Sequence, residues 1–206
     1  MSKLILIGAG GHSKVIKDIV ALEMEMDLYA IVDDAIDQTE KLDKIIYANT
    51  SLLDSLNLKE YKFCIAIGNN YVRKKLFKKF SIPIEQYVTL IHPSAVISKG
   101  AKIGYGTVVM PNVVINADTT IGNHCIVNTN SVVEHDNILS DFVHVSPSAT
   151  LSGVVSVGEG THIGAGAVVI PVMNIGSWNT VGAGAVVVGD LDDNVTAVGV
   201  PAKVIK

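Results

Sequence analysis

The stretch Ser131-Val132-Val133-Glu134-His135-Asp136-Asn137 sets one imidazole between two carboxylates, inside a run otherwise made of Val, Ile, Gly and Ala. An unperturbed imidazole titrates near pH 6.5, so it can take a proton at neutral pH, and a carboxylate beside it stabilises the imidazolium that forms. His135 is therefore the candidate general base. Either Asp136 or Glu134 could orient it, and their spacing does not choose between them.

A second set of residues lies at the ends of three apolar runs. These are Gly8-Ala9-Gly10-Gly11-His12, Val32-Asp33-Asp34 and Ala66-Ile67-Gly68-Asn69-Asn70. A glycine-rich strand-to-helix turn lets a pyrophosphate rest on the helix N-terminus, and an acidic pair after the next strand suits a ribose or a base N–H. The spacing from Gly8 to Asp33-Asp34 fits a nicotinamide dinucleotide nearly as well as another nucleotide. The thiols suggest no chemistry. Cys64 and Cys125 have no CxxC or Cys/His ligand spacing, so each is expected as a small buried hydrophobe, with no metal site and no covalent intermediate.

Two different patterns must position these groups. Over residues 1–88, strands Leu4–Ile7, Leu28–Val32 and Phe63–Ile67 alternate with helices Ser13–Met24, Ser51–Leu56 and Tyr71–Phe80. That order argues for a small parallel sheet flanked by helices, a Rossmann-like α/β domain. Over residues 89–206 a period of six takes over. Counting by sixes from Ile91 to Val187 gives seventeen consecutive Ile, Val or Leu residues. The position four residues after each is usually small, as at Ala95, Thr107, Cys125, Ser131 and Ala167.

One branched and one small residue turned inward per hexad describe a triangular parallel β-helix. Three hexads close each coil of eighteen, and a little over five coils give a prism about 25 Å tall. Residues eighteen apart then stack. His135 lies beneath Gly153, His144 beneath His162, and Gly164-Ala165-Gly166-Ala167 beneath Gly182-Ala183-Gly184-Ala185. Val133 and Asn137 face inward, which turns Glu134, His135 and Asp136 outward.

Composition narrows the function classes. Hydrophobic residues make up 49% of the 206 and aromatics only 5%, with 18 glycines, which favours close packing of small branched side chains. A net charge of −4, from 16 basic and 20 acidic residues without long runs of one sign, lacks the basic footprint that nucleic acid or an anionic membrane requires. The cluster Arg73-Lys74-Lys75 with Lys78-Lys79 reads as a solvated helix face. The first apolar run is too short for a signal peptide or a membrane span, so a reduced, cytoplasmic protein is expected.

The hexads followed by Gly199-Val200-Pro201-Ala202-Lys203 resemble the hexapeptide acyltransferase superfamily. That resemblance implies a left-handed coil, acetyl-CoA as acyl donor and a homotrimer. The three N-terminal motifs joined to Glu134-His135-Asp136 resemble the sugar N-acetyltransferases of the bacillosamine pathway, which acetylate the 4-amino group of a UDP-linked amino sugar. The same layout occurs in perosamine N-acetyltransferases and sialic-acid O-acetyltransferases.

The resemblance implies His135 as base and Asp136 as its orienting residue, where those enzymes carry glutamate. It sets His144, Ala165 and Ala183 against acetyl-CoA, with Lys203 as a phosphate contact and the active sites between adjacent chains. Gly10, Gly11, His12, Asp33, Asp34, Gly68 and Asn69 are then expected to hold the nucleotide sugar. The rival readings are a sialic-acid O-acetyltransferase, a non-catalytic nucleotide-sugar scaffold and an NAD-dependent oxidoreductase. The last is disfavoured because the first domain is small and joined to a hexapeptide prism. His124 and His162 are expected only as surface or interface residues.

Overall fold

Alternating apolar runs and amphipathic stretches build the N-terminal region into a five-stranded sheet with two helices. The computed structural model describes residues 2–22 and 26–206. The chain divides into two compact units, Met1–Leu90 and Ile91–Lys206. The first contains β1 (Ser2–Ile7), α1 (Gly11–Leu22), β2 (Met26–Val32), β3 (Glu40–Leu42), β4 (Ile45–Ala48), β5 (Tyr61–Ile65) and α2 (Asn70–Phe80). The sheet order is β3-β4-β2-β1-β5, parallel throughout except for β3 against β4. Ile5, Ile7, Val32, Phe63, Ile65 and Tyr87 form its core. Because β1, β2 and β5 run in one direction, the loops that follow them gather at one edge of the sheet, the side on which parallel sheets bind ligands.

Three local expectations differ from the structure. The hairpin β3–β4 has a weak signal because its turn, Asp43 and Lys44 with φ of 47° and 73°, carries no glycine. The short helix expected at Ser51–Leu56 is a 3₁₀ helix that begins one residue earlier, Thr50–Ser55, capped by the Asn49 side chain. The strand expected at Phe63–Ile67 lies two residues earlier, and the Ile67 carbonyl instead accepts a hydrogen bond from Arg73. Residues 23 and 24 of the expected first helix lie outside the described residues.

The second unit is a parallel β-helix. Two-residue strands recur every six residues from Leu90–Ile91 to Val186–Val187 and stack into three sheets. Strands before the last coil pair in register with the strand eighteen residues on, as Val114 with Val132, Val132 with Thr150 and Thr150 with Val168. The second residue of every strand is the hexad aliphatic, and from Val109 to Val187 all are at most 2% exposed. Each such burial contributes roughly 1.5–3 kcal/mol.

Coil closure needs a left-handed residue at each corner. From Gly106 to Gly184 every sixth residue has φ between 53° and 67°. Glycine, Asn and Asp occupy many of these sites, but Phe142, Val154, Val172 and Trp178 do so too, against their steric preference. At one corner Gly160 (φ 67°) lies under the Trp178 ring, and a methyl group built on it would sit 2.4 Å from ring carbons. The repeat ends after Val187. Thr196–Val198 pairs in parallel with Thr180–Val181 and antiparallel with Lys203–Val204, which occupies the edge of that sheet.

Trp178 is the only tryptophan in the chain, so it reports on this corner. Gly160→Ala is expected to red-shift its emission and to lower stability by about 1–2 kcal/mol in chemical denaturation. Unchanged emission would mean that the ring does not depend on the bare glycine.

Candidate active site

His135 occupies the residue before a corner, between strands Val132–Val133 and Ile138–Leu139. Asp136 is the corner residue itself, with φ 59°, a conformation aspartate tolerates better than most residues. Its Oδ2 lies 2.7 Å from His135 Nδ1, and both side chains are 56% exposed. Nε2 is the ring nitrogen that Asp136 leaves unengaged, and it lies against Gly153 of the coil above. Glu134 turns elsewhere, with its Oε2 accepting from Asn116 Nδ2, one coil below, at 2.8 Å. Of the two carboxylates, the structure pairs Asp136 with the imidazole.

The turn is held from inside by Asn137, which is fully buried. Its Nδ2 donates to the carbonyls of Glu134 (2.5 Å) and Ser152 (3.0 Å), and its Oδ1 accepts from Val155 N (2.9 Å). Thr119 Oγ1 also donates to the Glu134 carbonyl, at 2.7 Å. Asn137 thus ties the His135 turn to the coil above. The hexad pattern marked it only as an inward scaffold position, and a buried amide among aliphatics was the available signal for more.

His144 lies on a different face of the prism, paired in register with His162. Their rings stack at 4.9 Å, Asn128 Nδ2 is 3.1 Å from His144 Nε2, and Ser146 Oγ is 2.7 Å from His162 Nε2. The next corners on that side expose Ala165-Gly166 and Ala183-Gly184. Gly184 N donates to the Ala165 carbonyl at 2.9 Å. Methyl groups built on Gly166 and Gly184 would meet nothing within 4 Å, so open space borders this backbone. Lys203 is exposed on the terminal strand. His124 is fully buried and stacked on Phe142, which corrects its expected surface position; each ring occupies a corner, one coil above the other.

In the first unit, the three loops are stitched to one another. Asp33 accepts from Ala9 N at 2.8 Å and from Ala35 N at 2.9 Å, so both its oxygens hold backbone. Asp34 takes the Thr50 hydroxyl and pairs with Lys79 at 3.2 Å, and these two partners, Thr50 first, hold its carboxyl below the usual range. Gly8, Asp33, Asp34, Thr50, Ile67 and Val72 line a cavity of about 140 Å³. Gly10, Gly11 and Gly68 each border open space. Asn69 caps α2, accepting from Val72 N at 3.0 Å.

Arg73 corrects the reading of a solvated basic face, because it is 1% exposed. Its guanidinium donates to the carbonyls of Ile67 (2.9 Å) and Gly68 (3.2 Å) and to Asn70 Oδ1 (2.9 Å). Burial, and then the Arg73 charge, lower the pKa of His12 to about 4. Its Nε2 is buried without a hydrogen-bond partner among the described residues. Neither thiol is poised as a nucleophile: burial pushes Cys64 up to about 12, and Cys125 Sγ lies 3.2 Å from the Ser140 carbonyl inside the coil.

The parallel coil of hexads is the architecture of hexapeptide-repeat proteins, and matches to known proteins place the chain among their transferases. Residues 100–135 match the family model "Bacterial transferase hexapeptide (six repeats)", and residues 3–80 match "PglD N-terminal domain". The structure of a mutant of perosamine N-acetyltransferase from Caulobacter crescentus, in complex with CoA and GDP-perosamine, is 40% identical with a TM-score of 0.88, covering 100% of this chain and 98% of that one. The acetyltransferase domain of PglB from Neisseria gonorrhoeae FA1090, in complex with acetyl coenzyme A, is 38% identical with a TM-score of 0.89, covering 99% of each chain. UDP-N-acetylbacillosamine N-acetyltransferase of Bacillus subtilis (strain 168) is 45% identical over 108 residues, a match spanning 52% of this chain and 50% of that relative. The chain belongs to this family of two-domain, hexapeptide-repeat sugar N-acetyltransferases. No helix among the described residues is long and apolar enough to cross a membrane, and no cluster of His, Cys, Asp or Glu among them is suited to a metal ion.

The His12 environment gives a stability signature. Between pH 6.5 and about 4 the unfolded chain binds a proton that folded His12 refuses, so its contribution is complete above pH 6.5 and lost as pH falls toward 4. Melting temperatures across this range should fall less steeply in His12→Gln than in the native protein. Identical slopes would remove His12 as the source.

Proposed function

We propose that this protein transfers the acetyl group of acetyl-CoA to the amino group of a nucleotide-linked amino sugar, with His135 as general base. The observation that carries this reading is the 2.7 Å contact between His135 Nδ1 and Asp136 Oδ2, which leaves Nε2 as the nitrogen that can take a proton. A sugar amine attacks a thioester carbonyl only in its neutral form and sheds a proton as the C–N bond forms. Nε2 accepts that proton, Asp136 stabilises the imidazolium, and the proton leaves with the departing coenzyme thiolate. Acetyl-CoA supplies the activated acetyl group, and no covalent enzyme intermediate is needed.

The coenzyme arm is assigned to the edge formed by His144, Ala165 and Ala183, where bare backbone borders open space. His135 and His144 lie on different faces of one coil, which favours a homotrimer in which one chain's base meets its neighbour's coenzyme edge. We read the coil as left-handed and the first unit as a Rossmann-like domain holding the nucleotide through Gly10, Gly11, His12, Asp34, Gly68 and Asn69, with Asp33 bracing the loops. UDP is the proposed nucleotide, on the likeness to the Bacillus relative. The Caulobacter neighbour was solved with GDP-perosamine. The domain division near residue 88 and a cytoplasmic location complete the reading.

Thiol release from acetyl-CoA, measured against UDP- and GDP-linked 4-amino sugars and free sialic acid, tests the acceptor. Faster turnover of sialic acid would favour the O-acetyltransferase reading instead. His135→Ala is expected to lower kcat by about 10²–10⁴ while both substrates still bind in calorimetry. Asp136→Asn should cost about tenfold or more and Glu134→Gln less than about threefold; the reverse ranking would transfer the orienting role to Glu134.

A further inference from the structure

The column through the base runs Ala117, His135, Gly153, Pro171 at eighteen-residue spacing. A methyl group built on Gly153 would lie 2.7 Å from both Cε1 and Nε2 of His135 and 3.4 Å from Cδ2. The imidazole therefore fills the space that a side chain at 153 would occupy, and Gly153 itself is buried. Its φ lies outside the left-handed range that demands glycine. The backbone conformation does not require glycine here, but the ring does.

The surrounding backbone cannot easily yield. Val154 N donates to the His135 carbonyl at 3.0 Å, Val172 N donates to the Gly153 carbonyl at 3.0 Å, and Asn137 bonds both Ser152 O and Val155 N. Val154 already holds a β-branched side chain at φ 63°. A side chain added at 153 must therefore displace the ring, the free end of a flexible group.

We infer that Gly153 is a positioning residue for the reaction: it is the seat that holds the His135 ring in line with Asp136. This rests on His135 being the base. Without the seat, the ring leaves the 2.7 Å contact with Asp136, and Nε2 moves from where the acceptor amine must find it.

The test is Gly153→Ala in the full chain, with Gly189→Ala as control, since Gly189 is exposed and a methyl group there meets nothing within 4 Å. Gly153→Ala is expected to keep its melting temperature within about 3 °C and both KM values within about twofold, while kcat falls about tenfold or more. His135→Ala/Gly153→Ala should turn over at the same residual rate as His135→Ala, because the seat acts only through the ring. Three results would overturn the inference. These are a kcat within twofold of native, a Gly153→Ala loss of equal size in the His135→Ala background, or misfolding that His135→Ala does not relieve. Native turnover in His135→Ala alone would instead overturn the base assignment, and the seat with it.

Discussion

A coil that closes on itself in eighteen residues must turn three corners, and each corner asks an L-residue to enter the left-handed region at a cost of roughly 1–2 kcal/mol. Burial of the hexad aliphatics offsets that strain. Three consecutive positions at a corner then have three different environments. His135 precedes the corner and projects outward, Asp136 is the corner, and Asn137 returns inward and is fully buried. The pairing of imidazole with carboxylate follows from where the corner falls in the sequence. The vertical register does the rest, because the in-register pairing of Val133 with Leu151 brings the coil above over the ring.

The first unit solves a different problem. Taking a guanidinium out of water is expensive unless its donors are met, and Arg73 meets them with two loop carbonyls and an amide oxygen. That arrangement fixes the loop after β5, much as Asp33 fixes the loop after β1. The charge of Arg73 also reaches His12 and, with burial, keeps that imidazole neutral. The edge where the three loops meet is therefore held by side-chain to backbone hydrogen bonds, with a neutral imidazole beside them.

Much of this was legible in the chain. The seventeen hexad aliphatics announced the β-helix because burial selects one residue type at a fixed spacing, and the same count brought His144 under His162 and His135 under Gly153. The corner positions share the six-residue period but were hidden, since left-handed backbone here is occupied by Val154, Val172, Phe142 and Trp178 as well as by Gly, Asn and Asp. The burial of Arg73 is not legible because a helix with five cations within seven residues looks solvated, and only the loop carbonyls reveal that one cation turns inward. The hydrogen-bonding roles of Asn116 and Asn137 leave no trace in the sequence pattern, because their partners are backbone or lie one coil away.

The division of labour between the two carboxylates follows from the same geometry. Glu134 stands in a column above Asn116, so its side chain runs along the prism and finds the Asn116 amide one coil below. Reaching the imidazole would mean giving up that partner. Asp136 stands at the corner, where the left-handed backbone turns its short side chain back toward the residue before it, and the Oδ2 to Nδ1 contact closes with few rotatable bonds to order. A glutamate there would have one more torsion to fix, and ordering a longer side chain costs up to about 1 kcal/mol. Aspartate therefore suits this corner on both counts, tolerating its backbone and fitting the reach.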